Sequence, residues 1–137
     1  MDKRILVVIG CILLITVSSL SGCLSAKASE IEPISYNGHE GYSGGKYAIF
    51  IDASLKNKGE AQTVIVWASI SFGGGYWKQS KSVSFSSGET KSLTFIFTDI
   101  PQPLTPTELL YKIWLEIGGT AQAFGNDIAF IEGNFTI

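Results

Sequence analysis

The sequence predicts an all-β protein, a single antiparallel β-sandwich of about seven strands that follows an N-terminal signal segment. Three observations carry this prediction. Apolar and polar residues alternate in short runs along most of the chain after residue 30, and turn residues separate these runs about every ten positions. No ten-residue stretch in this part has the 3.6-residue period of an amphipathic helix. The length of 137 residues favours one domain.

The N-terminus has the layout of a secretory signal. A short, net-positive head at residues 2–4 precedes an apolar run of thirteen residues at 5–17, and mostly small residues follow as far as Gly22. The apolar run is shorter than the ~20 residues that a bilayer span needs. We therefore expect a signal peptide at residues 1–22 with cleavage after Gly22. An uncleaved signal anchor and a cleaved signal without lipid remain the alternatives.

The four residues Leu20-Ser21-Gly22-Cys23 resemble the lipobox of bacterial and archaeal lipoproteins. The resemblance implies that Cys23 carries a lipid on its sulfur and becomes the first residue of the mature chain. A lipid with two acyl chains would hold the protein stably, because each buried CH₂ contributes ~0.8 kcal/mol. We expect a short tether at residues 23–29, a β-sandwich domain at residues 30–137, and a location on the extracytoplasmic face of the cell membrane.

Composition narrows the possible partners. Without residues 1–22, the chain keeps 115 residues with eight lysines, no arginine and eleven acidic residues, a net charge of about −3. A nucleic-acid surface needs a basic patch, so nucleic acid is not an expected partner. Cys11 lies in the signal segment and Cys23 is the lipidation candidate, so no thiol remains in the domain for a disulfide or a thiolate-bound metal. No cofactor is expected.

The elements follow from the alternation and the turn residues. Strands are expected at residues 31–36, 47–56, 63–72, 76–85, 90–98, 108–117 and 128–137. Turns are expected at residues 57–59, where Asn and Gly tolerate positive φ, at 86–89 and at 121–127. Three glycines at residues 73–75 predict a hairpin tip. Three prolines within residues 100–107 predict an irregular crossover.

Part of this pattern resembles known domain families. An alternating strand, Asn57-Lys58-Gly59, a second alternating strand, and Ser87-Gly88-Glu89-Thr90 before a third are similar to the CARDB and FxLYD families. The match covers roughly residues 45–98. It implies an immunoglobulin- or fibronectin III-like sandwich and says little about function, because its motifs are turn and core positions.

Residues suited to catalysis are sparse. His39 is the only histidine, and its glycine-flanked surroundings predict a solvated loop residue. The carboxylates are scattered, and Asn126, Asp127 and Glu132 lack the dense spacing of a calcium loop. We therefore expect neither a metal site nor an enzyme.

The candidate binding residues are aromatic. Alternation places Trp67 and Trp114 on outward faces of strands that are neighbours in an immunoglobulin-like order, so they form a candidate binding patch. A cross-strand pair that only stabilises the sheet is the alternative. Tyr76 and Trp77 are weaker candidates, and Asn134 begins an N-glycosylation sequon with its side chain expected outward.

Two functional classes remain open from the sequence. The first is a non-catalytic binding or adhesion module for an envelope protein or a glycan. The second is a structural accessory subunit of a larger membrane complex.

Overall fold

The computed structural model describes residues 29–137, which form eight β-strands in two antiparallel sheets. The strands are β1 (Ile31–Ser43), β2 (Lys46–Asn57), β3 (Gln62–Phe72), β4 (Gly75–Phe85), β5 (Thr90–Phe97), β6 (Glu108–Ile117), β7 (Thr120–Gln122) and β8 (Ile131–Thr136). The small sheet has the order β1-β2-β5. The large sheet has the order β4-β3-β6, and both β7 and β8 pair with the far edge of β6.

The two sheets pack face to face around one apolar core, so the predicted all-β sandwich is confirmed and is consistent with an immunoglobulin-like fold. Alternation identified the core correctly on the central strands. On β3, every second residue from Val64 to Phe72 is buried, and the same holds on β6 from Leu109 to Leu115. The predicted inward residue Ile117 is instead 37% exposed, because β6 ends there in the turn to β7.

The first strand is longer than the sequence indicated. Residues 37–41, expected as a loop, continue β1 and pair with β2 through Ser43. Gly38 is the reason that this segment packs well, since any Cβ there would collide with the ring of Phe135 on β8. His39 is therefore a strand residue, and its expected place in a loop is wrong.

The segment between β6 and β8 also differs from the expectation. The short strand β7 was not expected and brings the number of strands from seven to eight. The last strand, β8, begins at Ile131 rather than at residue 128. The expected polar turn at residues 121–127 contains Phe124, which is fully buried in the core. Ser29, at the end of the predicted tether, is 8% exposed, and its amide donates to the Ala123 carbonyl at 2.8 Å.

The turn after β2 depends on a buried side chain. Asn57 has no exposed surface, and its side-chain amide donates to the carbonyls of Glu60 at 2.8 Å and Ser86 at 3.2 Å. Its Oδ1 accepts from the Gly59 amide at 3.1 Å and from the Gln62 side chain at 3.0 Å. Neither Asn57 nor Gly59 has positive φ, so side-chain hydrogen bonding rather than left-handed backbone explains this turn.

The structure defines two ends of the sandwich. Ser29, the turn after β2, the turn at residues 86–89 and the β6–β7 turn lie at one end. The β1–β2 and β3–β4 hairpin tips and the crossover before β6 lie at the opposite end. No helix long and apolar enough to cross a membrane occurs among residues 29–137.

Candidate ligand-binding groove

Trp67 and Trp114 face each other across the centre of the large sheet. They are directly opposite in the pairing of β3 with β6, their ring centroids are 5.9 Å apart, and their planes differ by 4°. Both side chains are half-buried rather than freely exposed. The Lys78 ammonium lies 5.0 Å from the centre of the Trp67 ring, and Trp67 Nε1 is buried with no hydrogen-bond partner within residues 29–137. Of the two rings, only Trp114 lines the groove described next.

A groove lies beside Trp114 on the outer face of the large sheet. Its floor is made by Ser69 and Ser71 of the central strand β3, whose small side chains leave a depression between larger neighbours. The groove has a volume of about 590 Å³. Its walls are formed by Tyr76, Leu110, Lys112, Trp114, Ala121, Ala129, Phe130 and Glu132. Four of these walls are large apolar or aromatic side chains.

The groove continues along β3 toward the end of the sandwich that lies opposite Ser29. A second depression of about 460 Å³ shares Ser71 and Leu110 with the first and reaches Gly74 and Gly75 at the β3–β4 hairpin. From the level of Trp114 to this hairpin, about seven residues at ~3.3 Å each give a length of roughly 20 Å. The surface is therefore an elongated channel and not a closed pocket.

Charged groups of both signs stand in one row across the outer face of the large sheet, and two of them, Lys112 and Glu132, line the groove. Lys78 on β4 and Lys112 on β6 are each directly opposite Ser69, and Glu132 on β8 is directly opposite Lys112. The Lys112 ammonium lies 4.7 Å from the centre of the Phe130 ring. Within residues 29–137, neither lysine has a carboxylate within 4.0 Å, so both ammonium groups keep hydrogen-bonding capacity for a ligand.

Sequence reasoning found part of this groove. It identified Trp114 and, more weakly, Tyr76, because alternation reports which side chains face outward. It did not single out Phe130, which fell within the strand expected at residues 128–137 but lies in an irregular segment before β8. It also missed the two serines, since a floor made of small residues becomes visible only when their larger neighbours on adjacent strands are known.

His39 belongs to a different surface, the outer face of the small sheet. Its Nε2 lies 3.1 Å from Asp52 Oδ2, and its ring stacks on Phe50 at 5.0 Å with an 8° angle between planes. Thr94 donates to the other oxygen of Asp52 at 2.6 Å. This set joins β1, β2 and β5, and the hydroxyl contacts the carboxylate rather than the imidazole. The arrangement differs from a nucleophile–histidine–acid order, in which the histidine activates the hydroxyl.

The remaining candidate residues have separate locations. Asn134 is exposed on β8, directly opposite Leu110 and therefore beside the groove. Within residues 29–137, no three side chains of His, Cys, Asp or Glu lie close enough together to hold a metal ion. Asp127 and Glu132 therefore do not belong to such a group. The lipidation candidate Cys23, the cleavage position Gly22, the signal at 1–22 and the tether as far as residue 28 lie outside the described residues.

The chain matches no model of a known protein family. No curated protein is significantly similar to it in sequence.

Proposed function

We propose that this protein is a membrane-anchored, extracytoplasmic lipoprotein that acts as a non-catalytic binding module. Cys23 would carry the lipid, and the groove beside Trp114 would contact a glycan or a protein of the cell envelope. The single observation that supports binding most strongly is this groove, because aromatic walls over a polar floor are typical of small-molecule and glycan recognition. The resemblance to CARDB and FxLYD domains is part of the same proposal.

The position of Ser29, the first described residue, supports this arrangement. Ser29 lies at the end of the sandwich opposite the β3–β4 hairpin, so a lipid on Cys23 would hold that end toward the membrane. The groove runs along the outer face toward the hairpin end. It would therefore open to the side and away from the bilayer, where envelope polymers and proteins are accessible.

A structural accessory subunit is the second candidate function. The observation that favours it is Leu104, whose side chain is fully exposed in the proline-containing crossover at the end opposite Ser29. A fully exposed leucine on a loop stiffened by prolines would enter an apolar pocket of a partner at a reduced cost in loop entropy. In this alternative, the crossover rather than the groove makes the principal contact.

In-cell cross-linking of the tagged, full-length protein distinguishes these functions. Envelope neighbours captured by the parent protein would be compared with those captured by Trp114→Ala and by Leu104→Ser. A binding module loses its dominant neighbour in Trp114→Ala and keeps it in Leu104→Ser, whereas an accessory subunit shows the reverse. An unchanged set of neighbours in both variants would contradict both candidate functions.

A further inference from the structure

We propose that the groove binds a linear, uncharged glycan, with sugar rings against the aromatic walls and hydroxyl groups on the polar floor. This inference rests on the proposed function and names its ligand class. Three properties of the groove support it: the hydrogen bonding of its floor, its shape, and its charge balance.

Most backbone N–H and C=O groups beneath the groove are already paired within the sheet. β3 pairs with β4 on one side and with β6 on the other, while β6 pairs with β3 and with β7 and β8. Extended peptides bind sheets by adding a strand at an edge, where free backbone groups satisfy their own N–H and C=O groups. The groove crosses the middle of a sheet and offers only side chains. It therefore suits a ligand whose polar groups are hydroxyls better than it suits a peptide.

The shape of the groove suits a chain of rings. Its volume of about 590 Å³, with a continuation of about 460 Å³, lies in the range of sites that bind small molecules and oligomers. Trp114 stands at one end of the groove, Tyr76 on the β4 side and Phe130 on the β8 side. Aromatic faces along a channel contact the apolar C–H faces of sugar rings without selecting one charge.

The charge balance argues against a strongly ionic ligand. The charged residues that line the groove are one lysine and one glutamate, Lys112 and Glu132, and Glu108 lines the continuation. Ammonium groups only donate hydrogen bonds, a carboxylate only accepts them, and serine hydroxyls do both. Sugar hydroxyls also donate and accept, so this mixture can satisfy them in either role. A polyanion would meet the carboxylates of Glu132 and Glu108.

The test compares two substitutions on the same outer face. Ser71→Trp places a large ring on the groove floor, whereas Ser82→Trp adds the same ring at an exposed position of β4 outside the groove. Full-length parent and variant proteins in detergent would be passed over immobilised linear oligosaccharides of glucose, N-acetylglucosamine, mannose and galactose. They would also be passed over neutral polysaccharide extracted from the envelope of the producing cells.

We expect the parent protein and Ser82→Trp to be retained on at least one neutral glycan. Ser71→Trp should bind that glycan with an affinity about tenfold or more lower, because its ring blocks the centre of the site. Thermal unfolding of the two variants shows whether both remain folded. A third variant, Trp114→Ala, repeats the binding test by removing an aromatic wall of the groove instead of filling its floor. Failure of every neutral glycan, or equal retention of Ser71→Trp, would overturn the glycan assignment.

A photo-cross-linker at position 71 separates failure of this inference from failure of the proposed function. A cross-linker at Ser54, on the outer face of the small sheet, is the control. An adduct that resists protease and is removed by periodate supports a glycan. A protease-sensitive adduct formed from position 71 and not from position 54 overturns the glycan but keeps the binding module. Absence of any specific adduct from position 71 overturns both.

Discussion

The side-chain amide of Asn57 donates a hydrogen bond to the carbonyl of Ser86 at 3.2 Å, and this contact joins two turns that are 29 residues apart in sequence. The backbone reinforces it, because the Asn57 amide donates to the Glu89 carbonyl at 2.9 Å and the Gly88 amide donates to the Asn57 carbonyl at 2.8 Å. One turn follows β2, and the other precedes β5, which pairs with β2. Asn57 therefore fixes the geometry at the Ser29 end of the sandwich.

Replacement of this residue has a direct consequence for stability. Asn57→Ala removes the partner of two carbonyls, of the Gly59 amide and of the Gln62 side chain in a partly buried network, so we expect the free energy of unfolding to fall by roughly 2–3 kcal/mol. Denaturant unfolding of the purified full chain measures the loss. Asn37→Ala, at an exposed position of β1, is the matched control and should change stability by less than ~0.5 kcal/mol. Equal losses in both variants would contradict the buried network.

The contact between Gly38 and Phe135 predicts a second stability effect. A methyl group on Gly38 would collide with the Phe135 ring, so Gly38→Ala should destabilise the protein by about 1–3 kcal/mol, as overpacked sites do. The double variant with Phe135→Ala provides space for the methyl group. In a double-mutant cycle, the loss from Gly38→Ala should therefore shrink when Phe135 is absent. Strict additivity of the two changes would exclude this contact as the cause.

Tyr47 predicts a pH dependence of stability at alkaline pH. Burial, together with the hydrogen bond that its hydroxyl donates to Glu40 Oε2 at 2.8 Å, raises the pKa of Tyr47 above its ordinary value. A pKa that is higher in the folded state favours the neutral phenol there. Its stabilising contribution is complete below about pH 10, where the unfolded chain titrates, and is lost as the pH rises further.

Unfolding curves between neutral pH and pH 11 test this expectation. The parent protein should lose stability above about pH 10 more steeply than Tyr47→Phe, which has no phenol to ionise. Burial also raises the pKa of Tyr111, so a residual slope should remain in the variant. Tyr76→Phe, at an exposed ring, controls for removal of a hydroxyl. Parallel profiles of Tyr47→Phe and the parent above pH 10 would refute the assignment.

The buried Nε1 of Trp67 predicts an unusually tolerant position. A buried donor without a partner costs about 1–3 kcal/mol, so removal of this N–H offsets part of the packing lost when the indole becomes a phenyl ring. Trp67→Phe should therefore destabilise the protein by less than Trp77→Phe, whose ring packs on the core 5.0 Å from Phe72. Thermal unfolding of the two variants makes the comparison. A larger loss at position 67 would contradict this prediction.

The proposed lipid anchor at Cys23 gives a prediction about location. Cys23→Ser removes the sulfur that would carry the lipid, so we expect the protein to move from the membrane fraction to the soluble fraction. Cys11→Ser changes the other cysteine within the apolar signal run and should leave the protein at the membrane. Fractionation and immunoblotting of both variants provide the readout. Continued membrane association of Cys23→Ser would favour an uncleaved signal anchor.

The groove illustrates how far the sequence predicts a site. Trp114 was identifiable because a period of two fixes which residues of a regular strand share a face. Its pairing with Trp67 followed only from the order of strands in the sheet, which alternation does not encode. Phe130 reaches the groove from an irregular segment, and Lys112 lies near its ring because β6 and β8 are neighbours. Contacts between distant segments arise from packing, so no local pattern reports them.

The sequence by itself determined the fold class, the faces of the central strands and the candidate lipidation position, since each depends on residue types at short, fixed spacings. The tertiary structure decided the pairing of the strands, the extension of β1 through Gly38 and the burial of Asn57 and Phe124. It also decided the presence of the groove. Each of these depends on how side chains far apart in the chain fill shared space. Ser69 and Ser71 are ordinary small residues in the sequence, and they become the floor of a groove only between the larger side chains of β4, β6 and β8.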